Sequence, residues 1–561
     1  MSTAPDNTDI EAQINLYSDI YNKIISGEIR SRDELHKAKV KLCKVHMLKK
    51  IPRNSDILEN APEDIYDLVL PLLKLKPMRT MSGVAPVAVM TSPDNCPHGR
   101  CSYCPGGVKN GTAQSYTGHE PAALRATAHS FGPYHQTTDR LKQLETIGHP
   151  TDKIDLIIMG GTFTTRSEEY QYWFIKRCFD ALNQANSKSL IEAQLQNELA
   201  QHRCIGMTLE TRPDACTVPH VKRILNLGAT RVELGVQTLE DAVLVKVKRG
   251  HGSAETRAAT HLLKNAGMKV CYHIMPNLPG MTPARDLELF QQVFDHAEYR
   301  PDMIKIYPTL VVKGTELFEQ WVRKEYESYM LDETIELIAK LKAMAPPWIR
   351  IQRVQRDIPA KLIEAGVKYS NLRQMVQERL HELGERCRCI RCREVGQNLE
   401  NDKELDENNF KLHKVDYDAS GGREAFISID DKKYDFLIAF VRLRMPDENV
   451  LEDVGQPKVP EGIKDFAFVR ELKVFGQLVP ISSNPLKIKP AQPLKDGGGP
   501  GSKEWQHKGY GRALMEAAEK FAVEEWDINN ILVNSGIGAR EYYKKLDYIP
   551  HGHYMAKFNI D

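Results

Sequence analysis

A chain of 561 residues is too long for a single hydrophobic core, so two or three domains are expected. Its 41% hydrophobic and 27% charged residues describe an ordinary globular protein, and no apolar run approaches the ~18 residues that span a bilayer. The net charge of +1, from 76 basic and 75 acidic residues, excludes a global field that would by itself select a partner.

Residues 1–75 read as helical. They open on Met1-Ser2-Thr3-Ala4-Pro5-Asp6, which has no apolar signal region, so a cytoplasmic address is expected. Between Arg30 and Arg53 the basic residues Arg30, Arg32, Lys37, Lys39, Lys41, Lys44, Lys49, Lys50 and Arg53 face only Asp33 and Glu34. Such a segment suits a phosphate backbone, and from charge alone a solvated helix face fits equally well.

From Val84 the pattern alternates. Strands are predicted over Val84–Thr91, Ile154–Met159, Ile205–Leu209, Arg231–Gln237, Val270–Met275, Met303–Leu310 and Trp348–Val354. Helices are predicted between them over Glu168–Asn183, Val218–Leu227, Ala254–Ala266, Leu287–His296 and Leu331–Lys342. Repeated β–α alternation implies parallel strands in a barrel or open partial barrel, with chemistry at the C-terminal strand ends. The first strand runs into Cys96-Pro97-His98-Gly99-Arg100-Cys101-Ser102-Tyr103-Cys104-Pro105-Gly106-Gly107. Three thiolates hold three corners of a [4Fe-4S] cluster and leave one iron free for S-adenosylmethionine (SAM), which such a cluster cleaves reductively to a radical. The usual spacing is three residues then two. Here it is four then two, and a structural zinc loop is the competing reading. Context favours the radical reading: Met159-Gly160-Gly161-Thr162 lets backbone approach a ligand closely, with Thr162 where such enzymes carry an acid. Glu210, Arg212 and Gln237, each at a strand end, are candidate polar contacts to SAM.

Past Pro359 come amphipathic helices and a second cluster, Cys387-Arg388-Cys389-Ile390-Arg391-Cys392. Arg386, Arg388 and Arg391 should keep its thiols ionised. A tetrahedral zinc staple is the preferred role, its fourth ligand His381, His413 or His273, with a second iron–sulfur cluster as the alternative. The remaining cysteines (Cys43, Cys178, Cys204, Cys216, Cys271) are scattered.

From Lys411 the pattern becomes an α+β domain with strands over Ala425–Ile429, Phe436–Leu443, Phe468–Phe475 and Ile531–Asn534 and a helix over Gly511–Val523. Ser482–Ser502, rich in Pro, Gly, Ser and Lys, reads as a mobile loop and candidate lid. Gln506-His507-Lys508-Gly509-Tyr510-Gly511 between a strand and a helix is the pyrophosphate-loop pattern of GNAT acetyltransferases, in which helix N-terminal amides bind the anion. Tyr542 and Tyr543 follow on a helix-like segment; one would face the acetyl-CoA thioester as a catalytic hydroxyl, the other would be core. The domains expected are thus 1–75, a basic helical segment; 76–370, radical SAM; 371–410, a metal-binding linker; and 411–561, GNAT.

These motifs, with Gln114-Ser115-Tyr116-Thr117-Gly118, Leu209-Glu210-Thr211-Arg212-Pro213-Asp214, Arg470-Glu471-Leu472 and Glu541-Tyr542-Tyr543-Lys544-Lys545-Leu546, resemble the catalytic-subunit family of Elongator over nearly the whole chain, in its bacterial and archaeal branch. The resemblance implies a tRNA uridine acetyltransferase that places a carboxymethyl-type group on carbon 5 of the wobble uridine. It implies cluster ligands Cys96, Cys101 and Cys104, and acetyl-CoA contacts at Lys153, Glu471, Leu472, Lys473, Val474, Gln506, His507 and Lys508 beside Gly509 and Gly511. It makes the basic arm (Lys37, Lys39, Lys41, Lys44, Lys49, Lys50, Arg53) a holder of the anticodon stem-loop. Self-association and Elongator-type partner subunits stay open. A protein lysine acetyltransferase with a structural iron–sulfur domain is the rival reading.

Overall fold

The computed structural model describes residues 7–76, 80, 82–398, 405–463, 465–475 and 509–560. Ser482–Ser502, Gln506, His507 and Lys508 lie outside them.

Four helices (Asn7–Ile25, Arg32–Val45, Asn54–Glu59 and Glu63–Leu73) form the N-terminal unit, as predicted. Their apolar faces close a separate small core of Leu16, Ile20, Leu35, Leu42, Ile57, Val69 and Leu73. Ser31 caps the second helix and its box partner Glu34 returns the bond, which fixes where the basic helix starts.

The central unit is a seven-stranded, wholly parallel sheet: β1 (Ala85–Met90), β2 (Lys153–Met159), β3 (Arg203–Thr211), β4 (Arg231–Gln237), β5 (Lys269–Ile274), β6 (Met303–Ile306) and, after the short β7 (Val311–Val312), β8 (Arg350–Arg353). Strands lie in the order β1-β2-β3-β4-β5-β6-β8, and the edges β1 and β8 are not paired with each other, so the sheet is an open half-barrel. The predicted Met303–Leu310 strand ends early, and the next short strand lies beyond its predicted end. β6 stops at Ile306, and β7 leaves the barrel to pair antiparallel with β9 (Ile363–Ala365). Outward-facing residues such as Leu156, Ile158, Val232 and Leu234 are fully buried beneath the crossover helices.

The C-terminal unit is a second seven-stranded sheet of β10 (Phe410–Ala419), β11 (Gly422–Asp431), β12 (Phe436–Met445), β13 (Ala467–Val474), β14 (Ile531–Val533), β15 (Ile549–His551) and β16 (Tyr554–Lys557), with helix Tyr510–Trp526 packed on it. The sequence reading missed β10 and the β15–β16 hairpin. β13 and β14 pair in parallel over only three residues, Ala467↔Ile531 to Val469↔Val533, and beyond them β13 has no strand partner on that side among the described residues.

This unit sits on the N-terminal end of the half-barrel, opposite the cysteine loop. Arg470 on β13 makes a two-pronged pair with Asp302 (2.7 and 2.6 Å), the residue before β6, and also reaches Glu424 on β11 at 2.7 Å. Glu424 in turn accepts from Arg444 at 3.0 Å and from Lys264 of the barrel helix Ser253–Asn265 at 3.2 Å. Arg442 pairs with Glu471 at 3.0 Å. Burial alone would raise the Asp302 pKa, but the Arg470 guanidinium, with Lys264 and Arg442, holds it far below the usual carboxylate range. Phe468 packs against Gly267, where a Cβ would lie 2.7 Å from its ring, and Tyr554 donates to the Ala266 carbonyl at 2.9 Å.

Arg470→Met would leave Asp302 and Glu424 buried without their shared cation. Urea unfolding should record a loss of about 3–5 kcal/mol, and a loss below about 1 kcal/mol would show that the network is dispensable.

Candidate active sites at the two ends of the barrel

At the C-terminal strand ends the loop after β1 folds back over the barrel mouth. Cys101 and Cys104 are buried and Cys96 is half-buried. Two buried N–H donors approach these sulfurs: Gln114 Nε2 lies 3.2 Å from Cys104 Sγ, and Arg249 Nη1 lies 3.7 Å from Cys101 Sγ. His98 Nε2 is 3.2 Å from Cys101 Sγ, and Thr162 Oγ1 is 3.5 Å from Cys96 Sγ. Arg249 is held by the Gly235 carbonyl of β4 through Nε (3.2 Å) and Nη2 (2.5 Å). Burial pushes the Cys96 thiol pKa up, against the pull of the Arg249 and Arg212 cations. The three soft ligands and their N–H donors fit an iron–sulfur cluster.

Gly160 and Gly161 both have positive φ (133° and 97°), and a Cβ on Gly160 would fall 2.0 Å from Thr91 Oγ1. The cradle admits glycine alone. Around it lies a cavity of about 730 Å³, lined by Cys96, Gly161, Glu210, Arg212, Gln237 and Arg249 among others. The structure thus brings together every residue of the barrel that the sequence proposed for SAM, apart from Gly160, which shapes the wall from behind. Glu210 accepts from Tyr116 Oη at 2.8 Å, and Arg212 is clamped by Asp214 (2.8 and 2.6 Å) with its Nη1 buried and without a hydrogen-bond partner among the described residues. Burial, then Glu210, raises the Tyr116 phenol well above its ordinary range, so it stays a donor.

Sequence reasoning missed Arg249, Gln114 and a charged group lower in the wall. Glu233 Oε2 accepts from His273 at 2.7 Å and from Lys305. Burial opposes its ionisation, yet the Lys305 ammonium and His273 hold the carboxyl well below the carboxylate range. Strand parity was the available signal, because Glu233, Gly235 and Gln237 alternate on one face of β4.

At the other end, Gly509 (φ 91°) starts the helix Tyr510–Trp526, whose first amides have no partner within the helix. Tyr542 Oη lies over Gly511, where a Cβ would be 2.7 Å away, and the same point is 3.8 Å from Val474 Cγ2. Tyr542 is 39% exposed and Tyr543 only 8%, so Tyr542 faces outward beside Gly511 and Tyr543 packs in the core. Burial lifts the Tyr542 phenol to about 12. Among the described residues, Glu471, Leu472, Lys473 and Val474 have no strand partner on the β14 side of β13. Lys153 begins β2 at this same lower end of the barrel. A helix start with amides free of intrahelical partners, the neighbouring β13 strand end and a phenol beside Gly511 fit acetyl-CoA.

Cys387, Cys389 and Cys392 converge with their sulfurs within 4.8 Å of one another. Among the described residues no imidazole joins them: His273 is committed to Glu233, while His381 and His413 are exposed elsewhere. Arg386 and Arg388 pair with Asp435 rather than guarding the thiols; Arg373 and Lys342 are the nearby cations, with Arg391 beside Arg373. On the N-terminal unit, Lys37, Lys41, Lys44, Lys49, Lys50 and Arg53 are exposed, but Lys39 turns inward and donates to Asn54 at 2.7 Å.

Taken together, the half-barrel with its cysteine loop and the attached acetyltransferase sheet define a radical-SAM enzyme joined to a GNAT domain. Comparison agrees segment by segment: residues 13–81 match the ELP3 N-terminal domain, 90–293 the radical SAM superfamily, 301–382 the radical SAM C-terminal domain and 502–560 the GNAT acetyltransferase domain. Across 545 residues, 96% of both chains, the protein is 47% identical to a tRNA uridine(34) acetyltransferase of Methanocaldococcus jannaschii. It is 40% identical over 548 residues, again 96% of each chain, to Elongator complex protein 3 of Homo sapiens. The solved structure of the archaeal Methanocaldococcus infernus Elp3 with an N-terminal deletion superposes with a TM-score of 0.72 at 46% identity, covering 85% of this chain and 100% of that one. The chain belongs to the tRNA uridine(34) acetyltransferase family. Among its described residues no helix is long and apolar enough to cross a membrane.

After anaerobic reconstitution, Cys101→Ala should lose bound iron and the sulfur-to-iron absorption band. Gln114→Leu should keep the iron and shift its midpoint potential, because only an N–H···S bond is removed. An unshifted potential would place Gln114 outside the cluster's surroundings.

Proposed function

We propose that the chain adds a carboxymethyl group to carbon 5 of uridine 34 in tRNA, using acetyl-CoA and SAM, in the cytoplasm. The observation that carries this reading is the placement of two dissimilar sites at opposite ends of one barrel, in a chain nearly half identical to relatives of that name. Cys96, Cys101 and Cys104 hold the cluster, and Gly160, Gly161, Glu210, Arg212 and Gln237 hold SAM. The bound cluster supplies the electron that cleaves SAM to a hydrogen-abstracting radical. Arg212 Nη1, buried without a hydrogen-bond partner among the described residues, offers a donor to the SAM carboxylate or a hydroxyl. Tyr116 and Arg249 keep Glu210 and the cysteine loop oriented.

At the lower end, Gly509, Gly511, Lys153 and the Glu471–Val474 edge bind acetyl-CoA, together with Gln506, His507 and Lys508. Tyr542 is the hydroxyl at the thioester and Tyr543 its packing support. The exposed Lys37, Lys41, Lys44, Lys49, Lys50 and Arg53 hold phosphates of the anticodon stem-loop, whose unstacked bases suit insertion into a pocket. The three-cysteine site at Cys387, Cys389 and Cys392 binds zinc, which staples the barrel's last strand to the acetyltransferase sheet.

Nucleoside mass spectrometry of tRNA incubated with reduced protein, SAM and acetyl-CoA should show the carboxymethyl product, and Cys101→Ala should abolish it. An unaltered nucleoside profile in Cys101→Ala, with acetyl transfer to a lysine peptide intact, would overturn the reading in favour of a lysine acetyltransferase.

Tyr542→Phe should slow tRNA-stimulated acetyl-CoA hydrolysis by about 10²-fold, against about twofold or less for Tyr543→Phe. Because the Tyr542 phenol keeps its proton up to about 12, no loss of rate from its ionisation is expected between about pH 8 and 10.

Metal analysis of the full chain should find zinc that Cys389→Ala removes while the iron stays. Wild-type protein without zinc would refute the staple.

A further inference from the structure

The inward faces of the half-barrel are charged, where barrels of this kind are ordinarily filled with branched apolar side chains. Along β2 the inward-facing Lys153, Asp155, Ile157 and Met159 all remain partly accessible, while Ile154, Leu156 and Ile158 between them are fully buried. Ile157 and Met159 line the SAM cavity, and Asp155 and Lys153 continue the same face downward. β4 repeats the arrangement, with Glu233 in the cavity wall and Arg231 one step below it. Arg231 Nη2 pairs with Asp155 at 3.0 Å and its Nε lies 3.8 Å from Glu233, so this ion pair bridges β4 to β2 over the intervening β3, one step below the cavity wall. Below it come Lys269 of β5 and then Glu471 and Lys473 of β13. Lys269 interacts electrostatically with Glu471 and Asp155, and Lys473 with Glu471 and Asp155 as well. Val474, next on that strand, and Tyr542 Oη both border Gly511, 3.8 and 2.7 Å from where its Cβ would stand. A charged column therefore joins the two sites through the barrel, over the ~20 Å that seven strand residues span.

We propose that this lumen is the passage by which the acyl end of acetyl-CoA reaches the SAM cavity, with the Arg231–Asp155 pair as the gate across it. The proposal rests on the two-site reading above. A polar carbonyl on a two-carbon chain suits a narrow lumen lined by ammonium, guanidinium and carboxylate groups, and the cations at the lower mouth (Lys153, Lys269, Lys473) are donors to its oxygen. Burial pushes all three of their pKa values down.

Gly206 offers a plug. It stands opposite Asp155 in the β2–β3 register, without a positive φ, and a Cβ there would lie 3.5 Å from Thr230 Oγ1 and 3.6 Å from Asp155 Oδ1. Those are ordinary contacts for a Cβ, so Ala is admitted there and larger side chains grow from a point beside Asp155. In the reconstituted protein with tRNA, SAM and acetyl-CoA, the series Gly206→Ala, Gly206→Val and Gly206→Leu should keep 5′-deoxyadenosine formation and CoA release within about twofold of wild type. Modified nucleoside per CoA released should fall stepwise with side-chain volume, by about tenfold or more at Leu. A ratio that stays constant across the series overturns the passage, and the Ala and Val members carry the test if the Leu variant does not fold. Wild-type protein that makes no modified nucleoside would instead overturn the functional reading.

A readout independent of turnover uses cluster-free protein and a ketone analogue of acetyl-CoA. The analogue should shield Lys269 from an amine-acylating reagent in wild type and not in Gly206→Leu. Lys269 equally reactive with and without analogue in wild type also overturns the passage.

Discussion

Everything in this molecule hangs on one buried ionic junction. Arg470 is fully buried and answers two carboxylates from two different domains, Asp302 at the foot of β6 and Glu424 on β11. Buried ions are costly unless each is fully partnered, and here Lys264, Arg442 and Arg444 complete the set. An arrangement so intolerant of a missing partner specifies a single docking pose. The acetyltransferase sheet must sit on the N-terminal end of the barrel and nowhere else.

That pose decides the chemistry. The upper mouth belongs to the cysteine loop, with Gln114 and Arg249 aimed at its sulfurs and a glycine cradle beside it. The lower end belongs to a helix start, a strand edge unpaired among the described residues, and Tyr542. Sites with incompatible demands, one needing soft ligands in a closed wall and the other a cleft for a long anionic coenzyme, are thereby kept apart. A charged barrel interior lies between them.

Much of this was legible in the chain. Alternation of apolar runs places the strands to within a few residues, because outward-facing positions must be buried under helices; Arg231–Gln237 and Glu168–Asn183 are found as predicted. The cysteine loop, the Gly-Gly turn and the Gly-x-Gly helix start are local devices, each carried by neighbouring residues. Strand β10 was missed because its outer face is almost wholly polar and exposed, and the β15–β16 hairpin because its strands are too short to show a period. Arg249 was missed because its role depends on Cys101, a residue 148 positions away. Lys39 was assigned to the exposed basic face, yet it spends its charge on Asn54 within the helical unit.

The sequence by itself determined the two chemistries, since thiolate spacing, glycine conformations and helix-start amides act over a few residues. It also determined which faces of the strands must be buried. Only the tertiary structure decided that Tyr542 rather than Tyr543 faces outward beside Gly511, that His273 serves Glu233 instead of the second cysteine cluster, and that the two sites share one axis. Those outcomes depend on which side chains fill a shared volume or compensate a shared buried charge, and such pairings join residues that no local pattern connects.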